Sequence, residues 1–154
     1  MQKATFAAGC FWGVEAAFQK LKGVKDTKVG YTGGHTRNPT YKQVCTDKTG
    51  HAEAVQVTYD PQEITYEKLL DVFWNTHNPT LLNRQGPDVG SQYRSAIFYH
   101  DEDQRKVAEE LKNLKQQKYD KKIATEISPL KEFYLAEEYH QKYFEKNKSA
   151  ACKI

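Results

Sequence analysis

The chain has 154 residues, the size of one domain with a sizeable hydrophobic core. Its 23 basic and 20 acidic residues leave a net charge of +3. Lysines share their turns with acidic residues, which is typical of a solvated surface and argues against a nucleic-acid-binding face. No stretch approaches the roughly 18 apolar residues of a membrane span, and we find no secretory signal. We therefore expect a cytoplasmic protein that acts as a monomer, without membrane contact.

The cysteine content also limits the class of protein. Cys10, Cys45 and Cys152 are too few and too odd in number for the disulfide framework of a secreted protein. Their spacing matches no zinc site, so we expect no metal. Three histidines are interpreted as structural: His35, His51 and His77.

The stretch around Cys10 leads from a short strand, residues 4–8, through a glycine into a helix. Apolar residues recur at helical spacing from Phe11 to Leu21, and Gly23 predicts the end of the helix. Cys10 then lies in the first turn of this helix or at its cap, where unpaired N–H groups and the helix dipole lower a thiol pKa below the usual ~8.5. The pattern predicts a nucleophile at neutral pH. A buried structural cysteine is the alternative.

Two strands are predicted next, over Val24–Thr32 and Ala52–Tyr59. Between them, Asn38-Pro39-Thr40-Tyr41 is a turn signature that places a phenol at a defined point. Glu53 projects from the same strand face as two valines. A carboxyl group at the end of an apolar face loses hydration, which raises its pKa and lets it donate a proton near neutral pH. The alternative is a carboxylate that reaches water at the end of the strand.

The second half of the chain is expected to alternate helices and strands around one long loop. The pattern predicts a helix over Thr65–His77, a loop over Thr80–Gln92, a strand over Tyr93–Tyr99, a helix over Asp103–Tyr119 with Val107, Leu111 and Leu114 on its apolar face, and a strand over Lys122–Ile127. The loop is long for a compact domain, which favours a functional role. Residues 133–144 are aromatic-rich and are interpreted as helical.

This order of elements favours an α+β fold over a doubly wound parallel one. We expect a two-layer α/β sandwich, with a ferredoxin-like mixed sheet and helices packed mainly on one face. Residues 1–154 are predicted to form a single catalytic domain that ends in an irregular tail, about residues 145–154, carrying Cys152.

Five short motifs occur in order along the chain. They are Gly9-Cys10-Phe11-Trp12-Gly13, Gly30-Tyr31-Thr32-Gly33-Gly34, Asn38-Pro39-Thr40-Tyr41, Gly50-His51-Ala52-Glu53-Ala54-Val55 and Arg84-Gln85-Gly86-Pro87-Asp88-Val89-Gly90. Together they resemble the peptide methionine sulfoxide reductases of the A type, from Phe6 to about residue 144. The fold of that family, an α/β sandwich with a mixed sheet, agrees with the predicted elements.

The resemblance implies reduction of the S epimer of methionine sulfoxide, free and in proteins, with no metal and no bound cofactor. Cys10 matches the nucleophile that attacks the sulfoxide sulfur and becomes a sulfenic acid. Glu53 matches the glutamate that protonates the sulfoxide oxygen, which is a poor leaving group until it is protonated.

The other site residues also follow from the resemblance. Tyr41 and Tyr93 match two tyrosines whose hydroxyls bind the sulfoxide oxygen or a water in its place. Asp88 matches a loop aspartate that acts through water. Phe11 and Trp12 would form the walls of an apolar pocket for the S-methyl group.

Recycling is implied by the same resemblance. Cys152 matches the thiol that condenses with the sulfenic acid to form a disulfide, which thioredoxin then reduces by thiol exchange. The residues before Cys152 lack the Gly-Tyr pair that often precedes this thiol in the family, so Cys45 remains the alternative resolving residue.

Each residue also has a structural interpretation. Phe11 and Trp12 would ordinarily belong to the core, tyrosines pack more often than they catalyse, and Asp88 after Gly86-Pro87 would cap a turn. Two other functions stay open on the residues alone. One is a thiol peroxidase that meets peroxide at Cys10, and the other is a basic module that binds nucleic acid.

Overall fold

A six-stranded mixed sheet forms the centre of the computed structural model, which describes residues 1–147. The strands in this range are β1 (Gln2–Ala8), β2 (Val24–Thr32), β3 (Ala52–Tyr59), β4 (Arg84–Gln85), β5 (Asp88–Val89), β6 (Ser95–Tyr99), β7 (Glu126–Pro129) and β8 (Phe133–Leu135). The α-helices are α1 (Phe11–Gln19), α2 (Tyr41–Val44), α3 (Tyr66–Asn75), α4 (Glu102–Gln116) and α5 (Tyr143–Lys146). Short 3₁₀ turns occupy Ser91–Tyr93 and Glu138–His140.

The strand order of the large sheet is β7-β6-β1-β3-β2-β8, while β4 and β5 pair separately as a small hairpin. β1 lies antiparallel between β3 and β6, and β2 lies antiparallel between β3 and β8. β7 pairs parallel with β6. The succession β1-α1-β2-β3-α3-β6, with β6-β1-β3-β2 side by side, is the ferredoxin-like arrangement. The predicted α+β fold with a ferredoxin-like mixed sheet is confirmed.

The helices α1, α3 and α4 pack on one face of the sheet, because each presents an apolar stripe to it. In α1 this stripe consists of Phe11, Val14 and Phe18. The ring of Phe18 stacks on that of Phe6 in β1 with centroids 5.2 Å apart, and Phe73 of α3 packs on Phe6 at 5.4 Å. Burying each such ring stabilises the fold by about 1.5–3 kcal/mol.

Side-chain alternation in β3 decides what lies on each face of the sheet. Val55 and Val57 join the core beneath the helices, whereas Ala52 and Ala54 belong to a smaller cluster on the opposite face. Glu53 lies two residues before Val55 and four before Val57 in β3, so its side chain is on the same face as theirs. Its carboxyl group therefore lies on the helix side of the sheet, as predicted.

The strand predicted over Lys122–Ile127 is wrong over its first four residues, since β7 begins at Glu126. The amide of Ile123 donates to Oε1 of Gln116 at 2.7 Å, and the amide of Ala124 donates to the carbonyl of Pro79 at 2.7 Å. These two amides already donate to acceptors in α4 and in a loop, so they cannot bond to a neighbouring strand.

The helix predicted for residues 133–144 is also wrong at its start. Phe133–Leu135 forms β8 on the outer edge of β2, with Leu135 opposite Gly30. Only a glycine fits here, because a Cβ at position 30 would collide with the carbonyl oxygen of Tyr134. Helical turns follow only at Glu138–His140 and Tyr143–Lys146.

Two helices differ from prediction at their ends. α1 stops at Gln19, and Gly23, with φ of +99°, serves the turn into β2 instead. α4 stops at Gln116, and Leu114 is exposed, so this residue does not belong to the apolar stripe. Within residues 1–147, no helix is both long and apolar enough to cross a membrane.

Candidate active site

Cys10 caps the N-terminus of α1, as predicted. β1 ends at Ala8, Gly9 turns the chain with φ of +97°, and Cys10 itself has φ of −57° and ψ of 121°, outside the helical region. Its side chain is partly exposed. Cys10 therefore occupies the N-cap position, at the end of α1 where the first-turn N–H groups and the positive end of the helix dipole lie.

Glu53 lies beside the same helix start. Its side chain is 1% exposed, and Oε1 accepts the backbone N–H of Phe11 at 3.3 Å. Burial raises the pKa of Glu53 to about 8, with a further upward contribution from the charge of Asp88, while the Phe11 hydrogen bond acts in the opposite direction. The predicted rise in the pKa of this carboxyl is confirmed, and its cause is the predicted loss of hydration.

The two predicted phenols, Tyr41 and Tyr93, lie within electrostatic reach of Glu53. Tyr41 is the first residue of α2, which the Thr40 side chain caps by accepting the Gln43 N–H at 3.1 Å. Tyr93 ends the 3₁₀ turn before β6. Burial raises the pKa of each phenol well above its usual range, and the negative charge of Glu53 raises it further. Both phenols therefore stay protonated donors at neutral pH.

The loop predicted over Thr80–Gln92 contains a hairpin docked beside the nucleophile. Gln85 of β4 pairs with Asp88 of β5. Gln85 is buried and packs so closely on Gly9 that a Cβ on this glycine would lie 3.0 Å from the Gln85 Cβ. Asp88 is half-buried, and burial raises its pKa. The charges of Asp88 and Cys10 both raise the pKa of Tyr93, so the hairpin brings Asp88 into the same group of residues.

The two predicted pocket residues have different surroundings. Phe11 is 1% exposed, and its ring contacts three aromatic rings on other segments: Tyr31, Tyr41 and His140. Trp12 is half-buried, its indole stacks on Tyr143 at 3.8 Å, and its Nε1–H donates to Nδ1 of His140 at 2.9 Å. Phe11 thus belongs to the hydrophobic core as well as to the site. Trp12 lies at the margin of the site.

Glu137 contacts this site and was not found from the sequence. Its Oε1 accepts the Tyr31 hydroxyl at 2.9 Å and its Oε2 accepts the Tyr41 N–H at 3.0 Å. Burial alone would raise the pKa of Glu137, but hydrogen bonds from Tyr41, its own amide and Tyr31, with the charge of His140, lower it overall. No local spacing relates this residue to Tyr41, because nearly a hundred residues separate the two.

Of the two candidate resolving thiols, only Cys45 lies within residues 1–147. Cys45 is exposed at the end of α2, and its thiol hydrogen-bonds with the Tyr41 hydroxyl. Partial burial raises the pKa of Cys45, and the Tyr41 hydrogen bond opposes that rise. Cys152 lies outside the described residues.

Two of the histidines interpreted as structural, the buried His51 and the half-buried His77, make structural contacts. Nδ1 of His51 accepts the Gly34 N–H at 3.0 Å, and Nε2 of His77 lies 2.7 Å from Oγ of Ser95. Burial lowers the pKa of His77 to about 4, so this side chain is neutral. Among residues 1–147, no group of three or more His, Cys, Asp or Glu side chains could hold a metal ion.

A sequence model described as peptide methionine sulfoxide reductase matches residues 2–154, almost the whole chain. The chain belongs to this family. The resemblance drawn from the five motifs is thereby confirmed.

Individual reductases match over comparable lengths. The peptide methionine sulfoxide reductase MsrA of Methanosarcina acetivorans is 61% identical over 150 residues, which cover 95% of this chain and 79% of that protein. The structure of Mxr1 from Saccharomyces cerevisiae in its reduced form has a TM-score of 0.93 and 43% identity, over 98% of this chain and 88% of that one. Mxr1 in complex with Trx2 has a TM-score of 0.67 and 32% identity, over 99% and 86%. The mixed sheet with helices packed on it is thus shared with solved reductases.

Proposed function

We propose that this protein is a thioredoxin-dependent peptide-methionine (S)-S-oxide reductase, acting on methionine sulfoxide both free and in proteins. Family membership supports the reaction, and the relative solved with Trx2 supports thioredoxin as the reductant. One observation carries the proposal. The buried Glu53 carboxyl accepts the backbone N–H of Phe11, the residue directly after Cys10 at the cap of α1.

In the first step the Cys10 thiolate attacks the sulfoxide sulfur while Glu53 gives a proton to the sulfoxide oxygen. Thiolate, sulfoxide and one proton become a Cys10 sulfenic acid and methionine, so the oxygen moves to Cys10 and the substrate sulfur gains two electrons. With a pKa of about 8, Glu53 holds its proton at neutral pH. Its Oε2 has no hydrogen-bond partner among the described residues, which makes this oxygen the donor.

The surrounding side chains orient the sulfoxide and keep Glu53 protonated. The hydroxyls of Tyr41 and Tyr93 donate to the sulfoxide oxygen as negative charge develops on it. Trp12 and Phe11 form the apolar wall against which the S-methyl group packs. Asp88 contributes through its charge, which raises the pKa of Glu53.

In the second step the sulfenic acid on Cys10 condenses with a resolving thiol to give a disulfide and water. We assign this thiol to Cys152, with Cys45 as the alternative. The thioredoxin dithiol then attacks the disulfide, and its two electrons restore both cysteines.

A single-turnover assay without reductant tests the first step. Reduced enzyme mixed with excess free L-methionine (S)-sulfoxide should release about one methionine per chain. Cys10→Ser should release none, and Glu53→Gln should slow release about 100-fold or more at pH 7. Glu138→Gln is the matched control, since Glu138 is an exposed carboxyl that pairs with Lys146. Methionine release by Cys10→Ser would disprove the proposal.

A second assay separates the resolving thiols. Cys152→Ser should still release about one methionine per chain but should fail to turn over with thioredoxin. Intact mass and peptide mapping after one turnover should show the Cys10–Cys152 disulfide in the wild type. Full thioredoxin-driven turnover by Cys152→Ser would assign the role to Cys45.

We also infer the setting of this reaction. Residues 1–154 form one catalytic domain that works as a monomer, and residues 145–154 carry Cys152. A catalytic thiol that must return to its reduced form suits a reducing compartment, so we place the enzyme in the cytoplasm.

A further inference from the structure

Glu137 joins two tyrosines that belong to distant parts of the chain. One carboxylate oxygen accepts the Tyr31 hydroxyl at 2.9 Å and the other accepts the Tyr41 backbone N–H at 3.0 Å. Hydrogen bonds to a charged carboxylate are shorter and stronger than those between neutral groups. The two tyrosines therefore have a fixed separation, set by a single side chain.

Tyr31 anchors this link to the part of the sheet that carries Glu53. The Tyr31 side chain is fully buried, and its ring lies 5.8 Å from the ring of Phe11. In the β2–β3 ladder Tyr31 is directly opposite Glu53. A group tied to the Tyr31 hydroxyl is therefore held at a defined place relative to the acid.

Tyr41 needs such an anchor because its own element is short. α2 has four residues, too few to be stable without external contacts. Thr40 caps one amide of this helix, at Gln43, and Glu137 binds another, at Tyr41. The Tyr41 phenol, on this first residue of α2, lies within electrostatic reach of Glu53, and its ring stacks on that of Phe11 with centroids 6.4 Å apart.

We propose that Glu137 is a positioning residue that holds the Tyr41 phenol at its working distance from Glu53 and the sulfoxide oxygen. The inference rests on the proposed function, since it assigns Glu137 a part in the same reaction. Glu137 does not touch the reacting atoms. It acts through the backbone of Tyr41, and Tyr31 is its fixed point.

A double-mutant cycle in the single-turnover assay tests the proposal. Glu137→Ala should slow methionine release about tenfold or more, because sub-ångström errors in placement are costly in an active site. In a Tyr41→Phe background the same change should slow release less than about twofold, since there is no hydroxyl left to place. Equal losses in both backgrounds would overturn the proposal and indicate a route through His140 and Trp12.

The isosteric variant separates geometry from charge. In Glu137→Gln the amide oxygen can accept the Tyr41 N–H, and the amide nitrogen can donate to the Tyr31 hydroxyl. This variant should therefore recover most of the rate lost in Glu137→Ala. A loss as large as that of Glu137→Ala would overturn the positioning role.

A measurement without substrate keeps the inference distinct from the proposed function. In ¹⁵N-labelled protein, hydrogen exchange of the Tyr41 amide should accelerate about tenfold or more in Glu137→Ala and stay unchanged in Glu138→Gln. An unchanged exchange rate in Glu137→Ala would disprove the link. Absence of sulfoxide reduction by the wild type would instead refute the proposed function and leave this result standing.

Discussion

Glu53 is a residue at which stability and chemistry pull in opposite directions. A carboxyl group that is 1% exposed, with one oxygen lacking a partner among the described residues, costs folding free energy when it is charged. The same burial keeps it protonated at neutral pH, which a proton donor requires. A site of this kind is a local conflict that the rest of the fold must tolerate.

The conflict predicts how stability depends on pH. Folding raises the pKa of Glu53 from 4.5 to about 8, so the folded chain keeps a proton that the unfolded chain releases. The stabilisation is fully present below about pH 4.5 and is lost as the pH rises through about 8. Between about pH 5 and pH 9, the wild type should lose up to about 4 kcal/mol relative to Glu53→Gln, which has no such proton.

Urea denaturation of both proteins across this range measures the difference. Other titrating groups are common to the two proteins and cancel in the comparison. Parallel stability curves would contradict the raised pKa of Glu53, and with it the argument that this carboxyl is the acid at neutral pH.

At the scale of elements, the β4–β5 hairpin depends on the glycine before Cys10. Gly9 has φ of +97°, and its missing Cβ leaves room for the buried side chain of Gln85. Gln85 in turn bonds Asn78 at both its amide oxygen, 3.1 Å, and its amide nitrogen, 2.6 Å. The turn that presents the thiol and the hairpin that presents Asp88 are therefore one packed unit.

Gly9→Ala should disturb this unit twice, through the left-handed backbone and through contact with Gln85. We expect a loss of about 1–3 kcal/mol in the free energy of unfolding and a slower single turnover, because the hairpin must move away from Cys10. Gly13→Ala is the control, since Gly13 lies inside α1, where alanine should stabilise by about 0.5–1 kcal/mol. Equal stability of the two variants would show that the close approach is unimportant.

At the scale of the whole molecule, the C-terminal segment closes back on the first helix. Glu15 of α1 is buried and accepts the Thr27 hydroxyl at 2.8 Å and the Lys142 N–H at 2.7 Å. Lys142 has φ of +52°, and its Nζ reaches Asp26 at 3.2 Å. This contact fixes the segment whose His140 meets Trp12, so the margin of the site depends on both ends of the chain.

Glu15→Ala should release this segment. Two buried donors lose their acceptor, so we expect about 2–4 kcal/mol of destabilisation and faster hydrogen exchange in residues 138–147. Glu15→Gln keeps an acceptor for Lys142 and a donor for Thr27, so it should cost about 1 kcal/mol and leave exchange nearly unchanged. Unaltered exchange in Glu15→Ala would show that the segment is held by its other contacts.

Much of this organisation was predictable from neighbouring residues. The strands Val24–Thr32 and Ala52–Tyr59 have the predicted boundaries, because alternation and the flanking turns are local properties. Cys10 at the cap of α1 and the sheet face on which Glu53 lies follow for the same reason, since each depends on its own element.

Long-range contacts were decided only by the tertiary structure. Phe133–Leu135 becomes a strand because β2 offers a free edge, and the Ile123 amide leaves the strand pattern because Gln116 takes it. Glu15 and Glu137 each bind a group about a hundred or more residues away. Sequence alone determined elements such as β2 and β3, and where the thiol and the acid lie on their elements. The folded chain decided which distant side chains hold these elements together, because hydrogen bonds between remote segments depend on proximity in space and leave no periodic signal in the sequence.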